Sequence, residues 1–205
     1  FRGYSILGTG SCQPGAGCTR RPLQVYDLVR ALIGGNNMEV YECVRTRRTI
    51  RKYKTDTVPE QVVRRILNAA RWAPSSRNQQ SWHFVVVTDP DTLTILGTVA
   101  TSGRFIAKAP LLIAVVMDGA DRPELDAGRA LQQMELVAWE EGLGTCFVGV
   151  RMEDQNRTIK DILGIPLSMG LVALLPMGYR LNETRSVGTP RKPLSQIAHR
   201  GRFGT

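Results

Sequence analysis

The order of segments in this chain predicts a layered domain of mixed helix and strand, of α/β or α+β class. Three observations carry that prediction. From Met38 onward, helical patterns of period 3.6 alternate with short apolar runs of strand length. No tandem repeat interrupts them. One long helical pattern, residues 123–141, carries apolar residues on two faces, as a helix covered on both sides does.

The elements follow in order. Residues 39–47 form a helix that delivers a group of arginines. Thr57-x-x-Glu60 reads as a capping box, and Pro59 suits the start of a helix. Val62, Val63, Ile66, Leu67, Ala69, Ala70 and Ala73 then mark one face, opposite Arg64, Arg65, Asn68 and Arg71, until Pro74 ends the helix. A strand at 82–88, a helix near 91–100 and a strand at 111–117 come next. In the helix at 123–141, Ala127, Ala130, Leu131, Met134 and Ala138 form one stripe, while Leu136 and Trp139 lie away from its centre. That second face implies further burial, in the core or against a second subunit. Gly142 fits the helix C-cap. A short strand at 146–150, a helix near 153–163 and a buried strand at 171–179 complete the pattern, before a basic, Pro-containing tail.

Residues 1–37 differ from the rest. Gly8, Gly10, Gly15 and Gly17 lie in a loop-like stretch, residues 23–33 have the pattern of a short helix, and Gly34-Gly35-Asn36-Asn37 ends it. This segment is expected to be an N-terminal extension, poorly ordered or non-native, with the folded unit at 38–205. Gly8-Thr-Gly10 has the wrong spacing for a dinucleotide-binding turn, and no strand precedes it.

With 42% hydrophobic and 22% charged residues the chain can bury a substantial core. No apolar run reaches the ~18 residues needed to span a bilayer, and the first residues lack an apolar core of secretory type. A cytoplasmic protein is expected, with Asn182-Glu183-Thr184 a chance sequon. Cys12, Cys18, Cys43 and Cys146 include no Cys-x-x-Cys and are joined by only two histidines, which argues against zinc. A Cys12–Cys18 disulfide is conceivable, but free thiols suit an intracellular chain. The net charge of +9 raises a nucleic-acid reading. Outside 45–54 the basic residues are scattered with few aromatics among them, so a basic cofactor pocket explains the cluster as well.

Four segments carry candidate chemistry. Arg47, Arg48, Thr49 and Arg51 place three guanidinium groups and a hydroxyl within five residues, which suits phosphate oxygens. A solvated basic face is the plainer explanation. Pro74, Ser75, Ser76, Asn78 and Gln80 precede Trp82 in a polar helix-to-strand loop; their amides donate and accept together, as the pyrimidine edge of a flavin requires. The alternative is an ordinary connection. Residues 142–149, with Phe147, Val148 and Gly149, offer glycines that let backbone approach a flat ligand, or equally a tight turn. Arg191-Lys192 between two prolines completes a phosphate site or is tail charge.

Taken together and in this order, these segments resemble the nitroreductase family of FMN-dependent oxidoreductases. The resemblance rests on Arg47-Arg48-Thr49-x-Arg51, Ala73-Pro74-Ser75-Ser76-x-Asn78-x-Gln80-x-Trp82, the Gly-Leu-Gly-Thr-Cys turn at 142–146, Pro190-Arg191-Lys192-Pro193-Leu194 and the ending Ile197-Ala198-His199-x-x-x-Phe203-Gly204, and covers about residues 38–204. It implies an α+β three-layer sandwich with a central, mostly antiparallel sheet between helices, in a domain-swapped homodimer with FMN at the subunit interface. Arg47 and Arg191 would hold the phosphate, helped by Arg48 and Thr49. Arg51 would lie near the flavin N1–C2 carbonyl, Asn78 by the ribityl chain or pyrimidine edge, and Phe147, Val148 and Gly149 against the ring. NAD(P)H would deliver hydride to flavin N5 and leave. A nitroaromatic, quinone or similar small acceptor would then be reduced, with no side-chain acid or base. Ser81 stands where the family commonly has Pro, Phe147 where it often has Trp, and residues 1–37 have no counterpart. Flavin-fragmenting or dehalogenating activity on the same fold is an alternative. It usually requires an extra lid, for which residues 103–126 leave little room. A basic nucleic-acid-binding protein without redox activity is the other.

Overall fold

In the computed structural model the described residues are 38–181 and 189–205. The expected helix at 23–33, the Cys12–Cys18 pairing and the sequon lie outside them. The elements are α1 (Val40–Thr46), α2 (Glu60–Arg71), β1 (Trp82–Val87), α3 (Pro90–Val99), β2 (Leu111–Met117), α4 (Pro123–Glu140), β3 (Leu143–Thr145), β4 (Val148–Gly149), α5 (Glu153–Leu163) and β5 (Gly170–Tyr179). The strands lie in the order β1-β2-β5-β3, with β4 also paired to β5, and every ladder is antiparallel.

All seven residues of β2 are buried, which explains a run with no polar alternation: both faces of the strand are covered. Side chains alternate between the faces of a strand, so Leu111, Ile113, Val115 and Met117 join Val62, Ile66, Ala130 and Met134 of α2 and α4 on one side. Leu112, Ala114 and Val116 join Leu93 and Leu96 of α3 and Ile159 of α5 on the other. Helices on both sides of one antiparallel sheet make the three-layer α+β sandwich that was expected.

Three local readings change. The capping box does not form: Pro59 is the N-cap of α2, without a side-chain bond to the helix, and Glu60 instead pairs with Arg64 at 3.0 Å. The strand expected at 146–150 is reduced to β4 at 148–149, and an unexpected strand, β3, precedes it at 143–145, with buried Cys146 and exposed Phe147 between the two. The second face of α4 is partly satisfied within the chain, because Trp139 packs with Cys43, Ile50, Tyr53 and Ala109 in a third cluster. Gly142 does follow the helix end, at φ 84°, the left-handed conformation that glycine adopts without strain.

Candidate flavin site

Residues 47–53 form a strap across the end of the sheet. Ile50 N–H donates to the Thr145 carbonyl at 2.8 Å, Thr49 bridges Thr145, and Tyr53 bridges Arg180. Tyr53 Oη–H donates to the carbonyls of Ile50 (2.8 Å) and Pro176 (3.3 Å). The cluster of arginines is therefore fixed on β3 and β5 by backbone pairing and by the buried Ile50 and Tyr53. Burial raises the Tyr53 pKa far above its ordinary value, with the Cys146 thiol adding to the shift and Arg51 opposing it. A raised folded-state pKa means that stability is fully present below the unfolded tyrosine's ~10 and is lost as pH rises beyond it. Tm between pH 10 and 12 is expected to fall more steeply in the wild-type chain than in Tyr53→Phe. Parallel Tm–pH curves would show that Tyr53 is not responsible.

Each arginine of the strap has a distinct setting. Arg47 Nη1 donates to Glu135 Oε1 of α4 at 3.4 Å, and the same oxygen accepts from Thr145 Oγ1 at 3.2 Å. Arg48 Nη1 donates to the carbonyls of Arg45 and Arg47, both at 2.8 Å, while its Nε is buried with no acceptor. Arg51 lies 5.9 Å from the Phe105 ring centre and beside Cys146. Burial pushes the Cys146 thiol up in pKa and the Arg51 cation opposes the shift. Thr49 is exposed. A buried donor without an acceptor carries a desolvation cost. Its position among three guanidinium groups fits a phosphate-bearing group such as FMN.

Residues 74–80 lie against the first turns of α4. Ser76 N–H donates to Asp126 Oδ2 at 2.9 Å, and Arg129 Nη1 donates to Asp126 Oδ1 at 3.3 Å and to the Pro74 carbonyl at 3.5 Å. Within the loop, Gln80 N–H donates to Ser75 Oγ at 3.0 Å and Gln80 Nε2 to the Asn78 carbonyl at 3.4 Å. Arg77, Asn78 and Gln80 sit at φ 49°, 57° and 50°, the left-handed region, at ~1–2 kcal/mol per non-glycine residue. Strain of this kind clusters at ligand-contacting loops and persists only where the surroundings enforce it.

Phe147 and Gly149 line a cavity of about 510 Å³, with Leu131 and Gly128 of α4, Arg151 and Leu171. Val148 is buried in the core facing α3 and α5, so it supports this wall from behind. Arg191 lies in the exposed tail, where Leu194, Ile197 and Phe203 are exposed as well.

The predicted residues thus form two groups on one helix. The strap reaches α4 at Glu135 and the 74–80 loop reaches it at Asp126. Nine residues at 3.6 per turn place these points about half a turn apart, on opposite sides, and ~14 Å apart along the axis. Asp126 and Glu135 were not among the sequence candidates. Asp126 left a signal: it continues the buried series Ala130, Met134, Ala138 at a spacing of four, where a charge is out of place. Glu135 left none, because it falls between the two apolar faces. Gly144 also has a structural duty. A Cβ there would lie 2.5 Å from the Ile50 Cβ, so this glycine admits the strap rather than a ligand.

A central antiparallel sheet between helices, an arginine strap with an unsatisfied buried donor and a strained amide-bearing loop make an α+β scaffold whose donors suit an anionic group. The model of the nitroreductase family matches residues 44–116 and 97–179. A Methanothermobacter thermautotrophicus protein named as an NADH dehydrogenase/NAD(P)H nitroreductase is 33% identical over 150 residues, 70% of this chain and 78% of that protein. An iodotyrosine deiodinase of Nematostella vectensis is 25% identical over 195 residues, 78% of this chain and 74% of its own length. The solved structure of an FMN-dependent nitroreductase from Clostridium difficile superposes with a TM-score of 0.72 at 30% identity, covering 78% of this chain and 98% of that one. The chain belongs to the nitroreductase family and is an oxidoreductase of the NAD(P)H-dependent type. Among the described residues no helix is long and apolar enough to cross a membrane.

Proposed function

We propose that this chain is an FMN-dependent NAD(P)H oxidoreductase that reduces nitroaromatic, quinone or similar small acceptors by a ping-pong cycle. The observation that carries this reading is the strap, where Arg48 Nε is buried without an acceptor and Arg47 and Arg51 flank it. Arg47, Arg48 and Thr49 hold the FMN phosphate together with Arg191 of the tail, and Arg51 stabilises negative charge on the reduced ring. Pro74, Ser75, Ser76, Asn78 and Gln80 contact the flavin's polar edge, and Phe147 and Gly149 form the apolar wall, with Val148 supporting it from behind. Bound there, FMN supplies the two-electron chemistry, and the protein contributes placement and electrostatics.

The two sides of α4 support a homodimer. A strap and a loop held on opposite faces of one helix complete a shared pocket when a second copy presents its loop to the first copy's strap. Exposed Tyr41 and Trp72, and an apolar groove of about 320 Å³ lined by Val40, Trp72, Leu136 and Val137, are surfaces that such a dimer covers. The exposed Leu194, Ile197 and Phe203 give the tail apolar groups for a swapped arm.

Arg47→Ala is expected to weaken FMN binding ~5- to 150-fold, the ~1–3 kcal/mol of a lost charge-assisted hydrogen bond. Titration of the apoprotein with FMN, followed by flavin fluorescence, measures it. Absence of FMN binding by the wild-type chain would remove the reading. Dehalogenation is the second reading, favoured by the iodotyrosine deiodinase relative. Only residues 118–122 separate β2 from α4, which leaves no space there for a long lid. Turnover of a halotyrosine, with none of nitrofurazone or menadione, would select it.

A further inference from the structure

Asp126 is buried to 1% exposure, yet the cavity lining and the strap make no use of it. Its two oxygens are committed outward from α4: Oδ2 accepts from Ser76 N–H at 2.9 Å, and Oδ1 accepts from Arg129 Nη1 at 3.3 Å. Arg129 in turn donates to the Pro74 carbonyl at 3.5 Å. One buried carboxylate therefore grips the 74–80 loop at its entrance, once directly and once through a guanidinium. Immediately after that grip the backbone turns left-handed at Arg77, Asn78 and Gln80. No glycine is present there to make the turn without strain.

A buried charge is retained at a cost unless it is fully hydrogen-bonded, and an apolar residue would continue the Ala130–Met134–Ala138 stripe more simply. The remaining restraints on the loop come from groups nearer the surface: Gln79 Oε1 accepts from Asp121 N–H at 3.2 Å, and Arg77 pairs with Asp121 at 3.3 Å, with the arginine side chain 82% exposed. Exposed pairs of this kind contribute little. Among the described residues that restrain this loop from outside it, Asp126 combines burial with charge.

We propose that Asp126 is a positioning residue, which holds the 75–80 loop with its left-handed turns at Arg77, Asn78 and Gln80, so that Ser76, Asn78 and Gln80 are preformed for the flavin. The flavin half of this statement rests on the function proposed above; the loop half does not. The principle is preorganisation: a loop already in its bound shape spends none of the binding free energy on being ordered.

Two readouts on the same variants separate the halves. In Asp126→Ala, trypsin is expected to cut the exposed Arg77–Asn78 bond at least tenfold faster than in the wild-type apoprotein, and FMN is expected to bind at least tenfold more weakly. Asp126→Asn keeps an oxygen for Ser76 N–H and is expected to restore both to within about threefold. Ser76→Pro covers the case in which Asp126→Ala does not fold. It deletes the N–H donor together with the Ser76 hydroxyl, so its diagnostic readout is cleavage, and Ser75 at φ −124°, ψ 158° already has the extended backbone that a following proline requires. Ser76→Pro is expected to show the same accelerated cleavage, with Tm held. Wild-type cleavage rates in folded Asp126→Ala or in Ser76→Pro would overturn the inference, as would Asp126→Asn behaving like Asp126→Ala. Accelerated cleavage in a chain that binds no FMN in any form would refute the flavin reading and leave Asp126 as the holder of the loop.

Discussion

Replacing Gly144 by alanine is expected to lower Tm by roughly 2–12 °C and to weaken FMN binding in the same step. The added methyl would stand 2.5, 2.6 and 2.7 Å from Cβ, Cγ1 and Cγ2 of Ile50. All three atoms belong to a β-branched side chain with little rotamer freedom at 3% exposure. Neither partner can move away alone, because Ile50 N–H is bonded to the Thr145 carbonyl, one residue along from Gly144. Overpacking of this kind costs about 1–3 kcal/mol, and a domain of this size loses ~2–4 °C per kcal/mol. The strain is relieved by lifting the strap, which carries Arg47, Arg48 and Arg51 away from β3. Ile50→Ala in the same chain should recover part of the loss, since it makes room for the methyl. An unchanged Tm for the single variant would show that the strap does not depend on this contact.

Trp139→Ala should be the most damaging single truncation away from the sheet, at about 3–5 kcal/mol by urea denaturation, the range for a buried tryptophan. The indole joins three parts of the molecule. Its Nε1–H donates to Thr46 Oγ1 of α1 at 3.0 Å, its ring lies 3.8 Å from the Arg180 guanidinium carbon, and its body fills the cluster with Cys43, Ile50 and Tyr53. Arg180 also donates to the Trp139 carbonyl at 3.1 Å. Burial already lowers the arginine's pKa, so loss of the aromatic face leaves a half-buried cation with poorer compensation. Trp139→Phe keeps a ring and loses only the N–H, and should cost about 1 kcal/mol. A loss below that value in Trp139→Ala would mean that α1 is held by something else.

Much of this molecule was legible in its residues, for reasons that differ from element to element. The unbroken apolar run at 111–117 announced a strand buried on both faces, and β2 is one. Seven apolar positions at helical spacing announced α2 to within two residues. Thr57 and Glu60 misled because a capping motif states only what side chains can reach; Pro59 took the cap position and Arg64 took the carboxylate. Residues 142–149 illustrate a second limit. Glycine marks places where space or backbone freedom is needed, but it does not say whether a ligand or another part of the chain fills the space, and at Gly144 it is Ile50. The residues proposed to carry the chemistry could be chosen by kind, whereas their mutual placement could not be read. Asp126 and Glu135, which set the loop and the strap on opposite sides of α4, depend on contacts 50 and 88 residues apart in sequence, beyond the reach of any local pattern.

The sheet order has a consequence for biosynthesis. β5 pairs with β2, β3 and β4, so the strand that unites the sheet leaves the ribosome after all the strands it joins. Until residues 170–179 emerge, β2 has a partner on one side only and presents an open hydrophobic edge, a template for intermolecular association. Chains truncated before Gly170 should therefore be recovered as aggregates or degradation products rather than as smaller folded proteins.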